Sequence, residues 1–248
     1  MERDAPGVRV VDLNHRIRAH DVRAGALALW RSAGWLNASV VLAVVDPGVG
    51  TPRRAVAVEV AGASAVLVGP DNGLLAPAVA ALGGATGAVE LRRFPAVAGA
   101  GATFDGRDLF APAAARIASG EWDLAAAGEP IDPAALEGTP VRMAEPEDGA
   151  VVCEVLWVDR FGNAQLNATP ATIAALGGTV EIEHSHWRDR ARRVAAFADL
   201  EPGELGLVTD SYGLIAVALY AAPAAVKLGL REGGTVRLTP GGDGRRRR

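Results

Sequence analysis

The chain has 248 residues, 50% of them hydrophobic, and a formal net charge of −4 from 25 basic and 29 acidic side chains. That is enough apolar material to build a core and no excess of positive charge to hold a polyanion, so disorder and nucleic-acid binding are both set aside. A single cysteine, Cys153, leaves no partner for an internal disulfide and no cysteine-rich metal site, and it fits a reducing, cytoplasmic setting.

The first residues, Met-Glu-Arg-Asp-Ala-Pro-Gly, are polar and do not read as a secretion signal. Val8–Leu13 reads as a strand. Asp21 is placed to cap a helix in which Val22, Ala26, Leu29, Trp30 and Ala33 share one face. Residues 39–45, from Ser39 through Val45, form a nearly continuous apolar run, the pattern of a strand buried on both faces. Asp46 then sits at the C-terminal end of that strand, the edge at which open α/β sheets bind ligands.

The segment that follows, Asp46-Pro47-Gly48-Val49-Gly50-Thr51-Pro52-Arg53-Arg54, carries the strongest local signal. Gly48 and Gly50 allow positive φ and close backbone approach, Pro47 restrains its own φ, and Arg53 can fold back over Asp46. An arginine at that range favours the ionised form of an aspartate. The same residues also fit a tight turn closed by a surface salt bridge, and the segment alone does not choose between the two.

Further strands are expected at Ala55–Val60, Ala65–Val68 and Ala88–Leu91. Helices are expected at Leu74–Leu82, closed by Gly83-Gly84, and at Leu109–Ser119, closed by Gly120. This alternation predicts an α/β N-terminal domain over residues 1–140, with a mainly parallel sheet and flanking helices. Between Gly128 and Gly149 four prolines sit among acidic residues, and the segment reads as a linker. Beyond it, residues 149–240 read as a smaller, β-rich domain, with strands at Val151–Val158, Thr179–Glu183, Val194–Phe197, Gly206–Thr209, Leu214–Leu219 and Thr235–Leu238. Short helices are expected after Thr169-Pro170 and near Ala221–Leu228. Residues 241–248 form an arginine-rich tail. The apolar stretch Leu214–Val226 is shorter than the ~20 residues of a spanning helix and contains Pro223, so no membrane role is expected. His184 and His186 make a weak metal signal, because no further ligand cluster accompanies them.

Four segments taken together are more specific than any one of them. Val44–Arg54, Gly69-Pro70-Asp71-Asn72-Gly73-Leu74-Leu75, Thr103-Phe104-Asp105-Gly106-Arg107-Asp108-Leu109-Phe110 and Val158-Asp159-Arg160-Phe161-Gly162-Asn163 resemble, in order and spacing, the S-adenosyl-L-methionine hydroxide adenosyltransferases. These SAM hydrolases are related to the fluorinase and chlorinase enzymes. The resemblance runs from Gly7 to about Leu230. It implies an α/β N-terminal domain, a β-barrel-like C-terminal domain, and a homotrimer with active sites between subunits. It also implies hydrolysis of S-adenosyl-L-methionine at C5′ by water or hydroxide, with no metal and no other cofactor.

Residue by residue, the family's water-positioning aspartate and arginine match Asp46 and Arg53. Its third member is a histidine where this chain has Asp105, which either orients water as a second carboxylate or is a variant that tunes the rate. Phe104 resembles a residue lining the adenosine site, and Gly106 matches the position where halogenating relatives seat their halide. Those relatives lack the acid that Asp46 supplies; a carboxylate beside an incoming halide repels it by several kcal/mol at close range and an effective dielectric of about 20. Asp159 and Asn163 resemble the pair that grips the methionine ammonium and carboxylate, and Ser211, Tyr212 and Ala221 resemble the stretch that holds the adenine edge and the methionine end. His20 and Asn72 are possible neighbours of the site, Asn72 chiefly as a loop-shaping residue. Family members open with a Thr-Asp-Phe-Gly-like strand whose aspartate contacts the ribose, and no such motif occurs here. A catalytically impaired S-adenosyl-L-methionine- or adenosine-binding homologue is therefore the alternative to a hydrolase, with a halogenase a more distant one.

Overall fold

The computed structural model describes residues 5–36, 40–62, 65–92, 103–185 and 187–241, so Ser39, His186 and the tail beyond Gly241 lie outside the described residues. The chain divides into two compact units, Met1–Val141 and Arg142–Arg248. No helix among the described residues is long and apolar enough to cross a membrane.

The first unit contains, in chain order, α1 (Val22–Ala33), β1 (Val40–Leu42), β2 (Ala55–Val60), β3 (Ala65–Pro70), α2 (Ala76–Ala81), β4 (Ala85–Leu91), α3 (Ala111–Ala118), α4 (Leu124–Ala127) and β5 (Gly128–Pro130). Asp21 starts α1 as expected, its carboxylate accepting from the Ala24 N–H at 2.8 Å, and Ala26, Leu29 and Ala33 are buried. The sheet has the order β1-β3-β2-β4-β5. It is mixed: β1 and β3 run parallel, whereas β3–β2, β2–β4 and β4–β5 are antiparallel. The mainly parallel sheet expected from the alternating pattern is thus corrected. A continuous apolar run reports burial on two faces, while strand direction follows connection length, and the short link from β2 to β3 admits only a hairpin. Two-sided burial is real. Val56, Val58 and Leu67 pack with α1 and α2 residues on one face, and Ala57, Val68 and Val89 pack with Leu109, Phe110 and Ala113 on the other.

Three further expectations are corrected. Val8–Leu13 forms no strand and exposes Val10, Val11 and Leu13, because no neighbouring strand pairs with it among the described residues. Among the described residues 40–45 of the apolar run, only the short β1 forms. The linker expected from Gly128 begins as β5 on β4, and its Asp132 caps a 3₁₀ turn at Pro133–Ala135. Proline suits both places, an edge strand and the first turn of a helix.

The second unit contains β6 (Pro146–Glu147), β7 (Ala150–Val158), β8 (Ala164–Leu166), β9 (Thr179–His184), β10 (Trp187–Val194), β11 (Leu205–Thr209), β12 (Ile215–Leu219), α5 (Ala224–Leu228) and β13 (Thr235–Pro240). Seven of these strands close a barrel in the order β13-β9-β10-β11-β12-β8-β7, with β7 returning to β13 and β6 added beside β7. Val151, Cys153 and Val155 alternate inward along β7 and join Leu166, Val180, Ile182, Ala191, Leu207, Val217 and Val236 in one core. The strand expected at Val194–Phe197 is displaced: β10 is the charged run Trp187–Val194, and a 3₁₀ turn occupies Phe197–Asp199. On the outer face of β10, Arg188 and Arg190 stand opposite Glu183 and Glu181 of β9, with Arg188 donating to Glu183 at 3.0 Å, and Arg192 pairs with Glu204, so charge replaces apolar alternation there. The helix expected after Thr169 is a 3₁₀ turn at Ala174–Leu176, ended by Gly177 with φ +82°.

Candidate active site

The strand end at β1 is pressed into place by β3. The Ala43 N–H donates to the Val68 carbonyl at 3.0 Å, and a Cβ on Gly69 would stand 2.4 Å from the Ala43 oxygen, so only glycine admits this approach. From there the chain turns sharply. The Thr51 N–H and hydroxyl both donate to the Gly48 carbonyl, at 3.1 and 2.6 Å, and Gly50 takes φ +79°. The turn brings Arg53 back over Asp46. Its Nε donates to both Asp46 oxygens at 3.0 Å, and its Nη2 donates to Asp46 Oδ2 and to Asp105 Oδ2 at 2.6 Å.

These three side chains are 9% (Arg53), 6% (Asp46) and 7% (Asp105) exposed, which removes the reading of a surface salt bridge. Burial acting alone would lower the Arg53 pKa, but hydrogen bonds and charge from Asp46, and then from Asp105, overcome it and leave the pKa raised, so Arg53 stays a cation. The Phe110 ring lies under the guanidinium, 5.1 Å from its Cζ. Arg53 Nη1 is also buried and has no hydrogen-bond partner among the described residues.

Asp105 and Phe110 come from one π-type turn at Gly106–Phe110, closed by the Ala111 N–H on the Gly106 carbonyl. Such turns widen the helix and occur frequently at functional sites. Here the turn delivers a carboxylate and a ring face to the same guanidinium. Gly106 adopts no positive φ, and a Cβ there would meet only Val44 Cγ1 at 3.8 Å, so neither conformation nor crowding requires glycine. Phe104 is exposed, with the Arg107 guanidinium 4.7 Å from its ring centroid.

A second ion pair, not singled out in the sequence, supports the first. Asp71 Oδ2 receives Arg54 Nε at 2.8 Å, and Asp71 Oδ1 receives the Glu137 N–H at 2.8 Å. Asn72 uses its Nδ2 to hold the Val45 carbonyl at 3.0 Å and its Oδ1 to accept from Leu74 N at 3.2 Å. This is the loop-shaping role expected of Asn72. The Arg53-Arg54 doublet and the Asp71-Asn72 doublet were the available signal, but their pairing follows only from the fold. His20 is exposed in the turn before α1, with φ +68°.

The remaining candidates lie in the second unit. Asp159 and Asn163 bind one another across the β7–β8 turn: Asp159 accepts the Asn163 N–H at 2.9 Å and its Nδ2 at 2.8 Å. Gly162, between them, has φ +81°, and a Cβ there would lie 2.4 Å from Pro223 Cβ, so this turn packs against the segment that carries Ala221. Ser211 and Tyr212 sit in the β11–β12 turn, at the opposite end of β12 from Ala221. There Asp210 accepts the Tyr212 N–H at 2.8 Å and receives Gln165 Nε2.

Comparison with known proteins finds the SAM hydroxide adenosyltransferase N-terminal domain over residues 1–128 and the C-terminal domain of the same family over residues 153–237. An (R)-S-adenosyl-L-methionine hydrolase of Salinispora tropica is 46% identical over 242 residues, covering 97% of this chain and 90% of that protein. One of Thermus thermophilus is 40% identical, covering 94% and 89%. The crystal structure of an uncharacterized conserved protein from Thermotoga maritima superposes with a TM-score of 0.82 at 28% identity, covering 96% of this chain and 91% of that one.

Proposed function

The chain belongs to the SAM hydroxide adenosyltransferase family, and from that premise we propose that it hydrolyses (R)-S-adenosyl-L-methionine to adenosine and L-methionine. The observation that carries this reading at the level of chemistry is the buried Asp46–Arg53–Asp105 cluster at the end of β1. A water donating a hydrogen bond to one of these carboxylates keeps a lone pair free for C5′. As the new C5′–O bond forms, the C5′–S bond breaks with its electron pair going to sulfur. The cationic sulfonium thereby leaves as the neutral thioether of methionine, and the water's proton passes through the carboxylate to solvent. Because the leaving group departs uncharged, the reaction calls for no metal and no redox cofactor. The protein's task is to hold a largely desolvated water in line with the C5′–S bond.

Asp46, Arg53 and Asp105 are assigned to the water, Phe104 and Gly106 to the adenosine side, and Asp159 and Asn163 to the amino-acid zwitterion. A carboxylate suits an ammonium and an amide suits a carboxylate. Ser211, Tyr212 and Ala221 are assigned to the adenine edge and methionine end. The working form is a cytoplasmic homotrimer with its active sites between subunits, which accommodates candidate residues on two separate units.

The test is incubation of the purified protein with each sulfonium epimer in H₂¹⁸O. Adenosine carrying ¹⁸O at its 5′ oxygen, with equimolar methionine, is the expected result, and light scattering at three chain masses is expected for the assembly. A folded protein that binds S-adenosyl-L-methionine yet releases no adenosine above the uncatalysed background overturns the hydrolase reading.

A further inference from the structure

Asp71 and Asn72 are neighbours in sequence and grip both ends of the loop that carries Asp46 and Arg53. Asn72 Nδ2 holds the carbonyl of Val45, the residue immediately before Asp46, at 3.0 Å. Asp71 holds the guanidinium of Arg54, the residue immediately after Arg53, at 2.8 Å, and the Asp71 N–H donates to the Arg54 carbonyl at 2.9 Å. The base of this grip is itself fixed. Asp71 is buried and accepts the Glu137 N–H, Asn72 N donates to the Pro70 carbonyl at 3.1 Å, and a Cβ on the following Gly73 would stand 2.6 Å from the Gly138 carbonyl. By contrast, Pro47, Gly50 and Thr51 at the loop's tip are exposed.

We propose that the Asp71-Asn72 doublet is a positioning clamp, which sets the spacing between Asp46 and Arg53 by fixing the backbone on either side of them. Neither residue touches the reacting atoms in this reading; both act through the loop. The clamp works by leverage. The Asp46–Arg53 contact is a forked, two-point pairing whose strength depends on the angle between the groups. That angle is inherited from two backbone anchors that a flexible glycine-containing turn cannot supply alone. The inference rests on the hydrolase reading for its kinetic readout, but its geometric content stands apart from it.

The discriminating variant is Asn72→Asp. It keeps an oxygen to accept the Leu74 N–H, so the local turn survives, and it loses the donor to the Val45 carbonyl. Asp71→Asn does the corresponding thing at the other end, retaining an acceptor for the Glu137 N–H while discarding the charge that holds Arg54. Two measurements are made on the whole protein. The first is the ¹H–¹⁵N signal of Arg53 Nε, assigned with Arg53→Lys. In the wild type it is expected to be shifted downfield and protected from solvent exchange by Asp46, and in Asn72→Asp it is expected to lose at least tenfold in protection while the thermal unfolding midpoint changes little. The second is adenosine release, where kcat is expected to fall about 10–100-fold with KM within about twofold, as a misplacement near 1 Å implies. An unchanged Arg53 Nε signal in both variants overturns the clamp, whatever the activity. A rise in KM alone overturns it too, because that places Asn72 against the substrate. If the wild type releases no adenosine the hydrolase reading fails, and the Arg53 signal still decides the clamp.

Discussion

At Arg53 one guanidinium answers two carboxylates and a ring face, one carboxylate from the loop after β1 and the other, with the ring, from the π-type turn. Asp46 lies seven residues earlier and was within reach of a sequence argument, because a turn rich in glycine invites the arginine back. Asp105 is 52 residues away, and only the packing of the π-type turn against β1 places its carboxylate at 2.6 Å. Asp46→Asn is expected to reduce adenosine release by about 10²–10³-fold, the range for removing one preorganised electrostatic group from a site, measured by single-turnover chromatography. Gly106→Ala is expected to leave the unfolding midpoint in place, since its Cβ finds only Val44 nearby, so any loss of activity in that variant reads as a collision with substrate. Cys153 offers a check on burial: desolvation pushes its thiol up to about 12. A folded pKa above the unfolded one means that this contribution is fully present below the ordinary thiol range and is lost as pH rises through about 12. The thiol is therefore expected to resist a disulfide reagent at pH 8 in the native protein and to react promptly in denaturant.

Among the elements, those written in apolar residues were legible and those written in charge were not. β2, β3, β7, β11 and β12 announce themselves by β-branched and aliphatic runs, because each is buried on at least one face. β10 does not. Its Trp-Arg-Asp-Arg-Ala-Arg-Arg-Val sequence has only Ala191 fully buried, and its register is fixed by β9 and β11, which no local pattern reveals. Val8–Leu13 is the reverse case, an apolar run with no partner strand among the described residues and hence no strand. Two close approaches give stability tests at this scale. Gly69→Ala and Gly162→Ala each drive a Cβ to 2.4 Å from a neighbour, and overpacking of this kind costs about 1–3 kcal/mol. Denaturant unfolding is expected to show that loss, with Gly162→Ala the more severe because its φ of +81° also strains alanine.

For the molecule as a whole, the two units have separate cores, one of them enclosed in a barrel without open edges save where β6 adds a short strand. Residues 142–241 expressed alone are expected to fold cooperatively, with dispersed amide resonances, and to release no adenosine because Asp46, Arg53 and Asp105 are missing; a collapsed, undispersed spectrum would contradict this. By itself the sequence determined the two-part division into an α/β portion and a β-rich portion, the helix start at Asp21, the Asp46–Arg53 loop, and the family. These depend on local periodicity, on turn chemistry, or on the order of short motifs, all of which are properties of neighbouring residues. Only the tertiary structure decided the directions of the strands, the closure of the barrel through β13 and β7, the arrival of Asp105 and Phe110 at Arg53, and the grip of Asp71 and Asn72 on the loop ends. Each of those joins residues far apart in the chain, and what brings them together is the burial of whole faces, a quantity that no window of sequence contains.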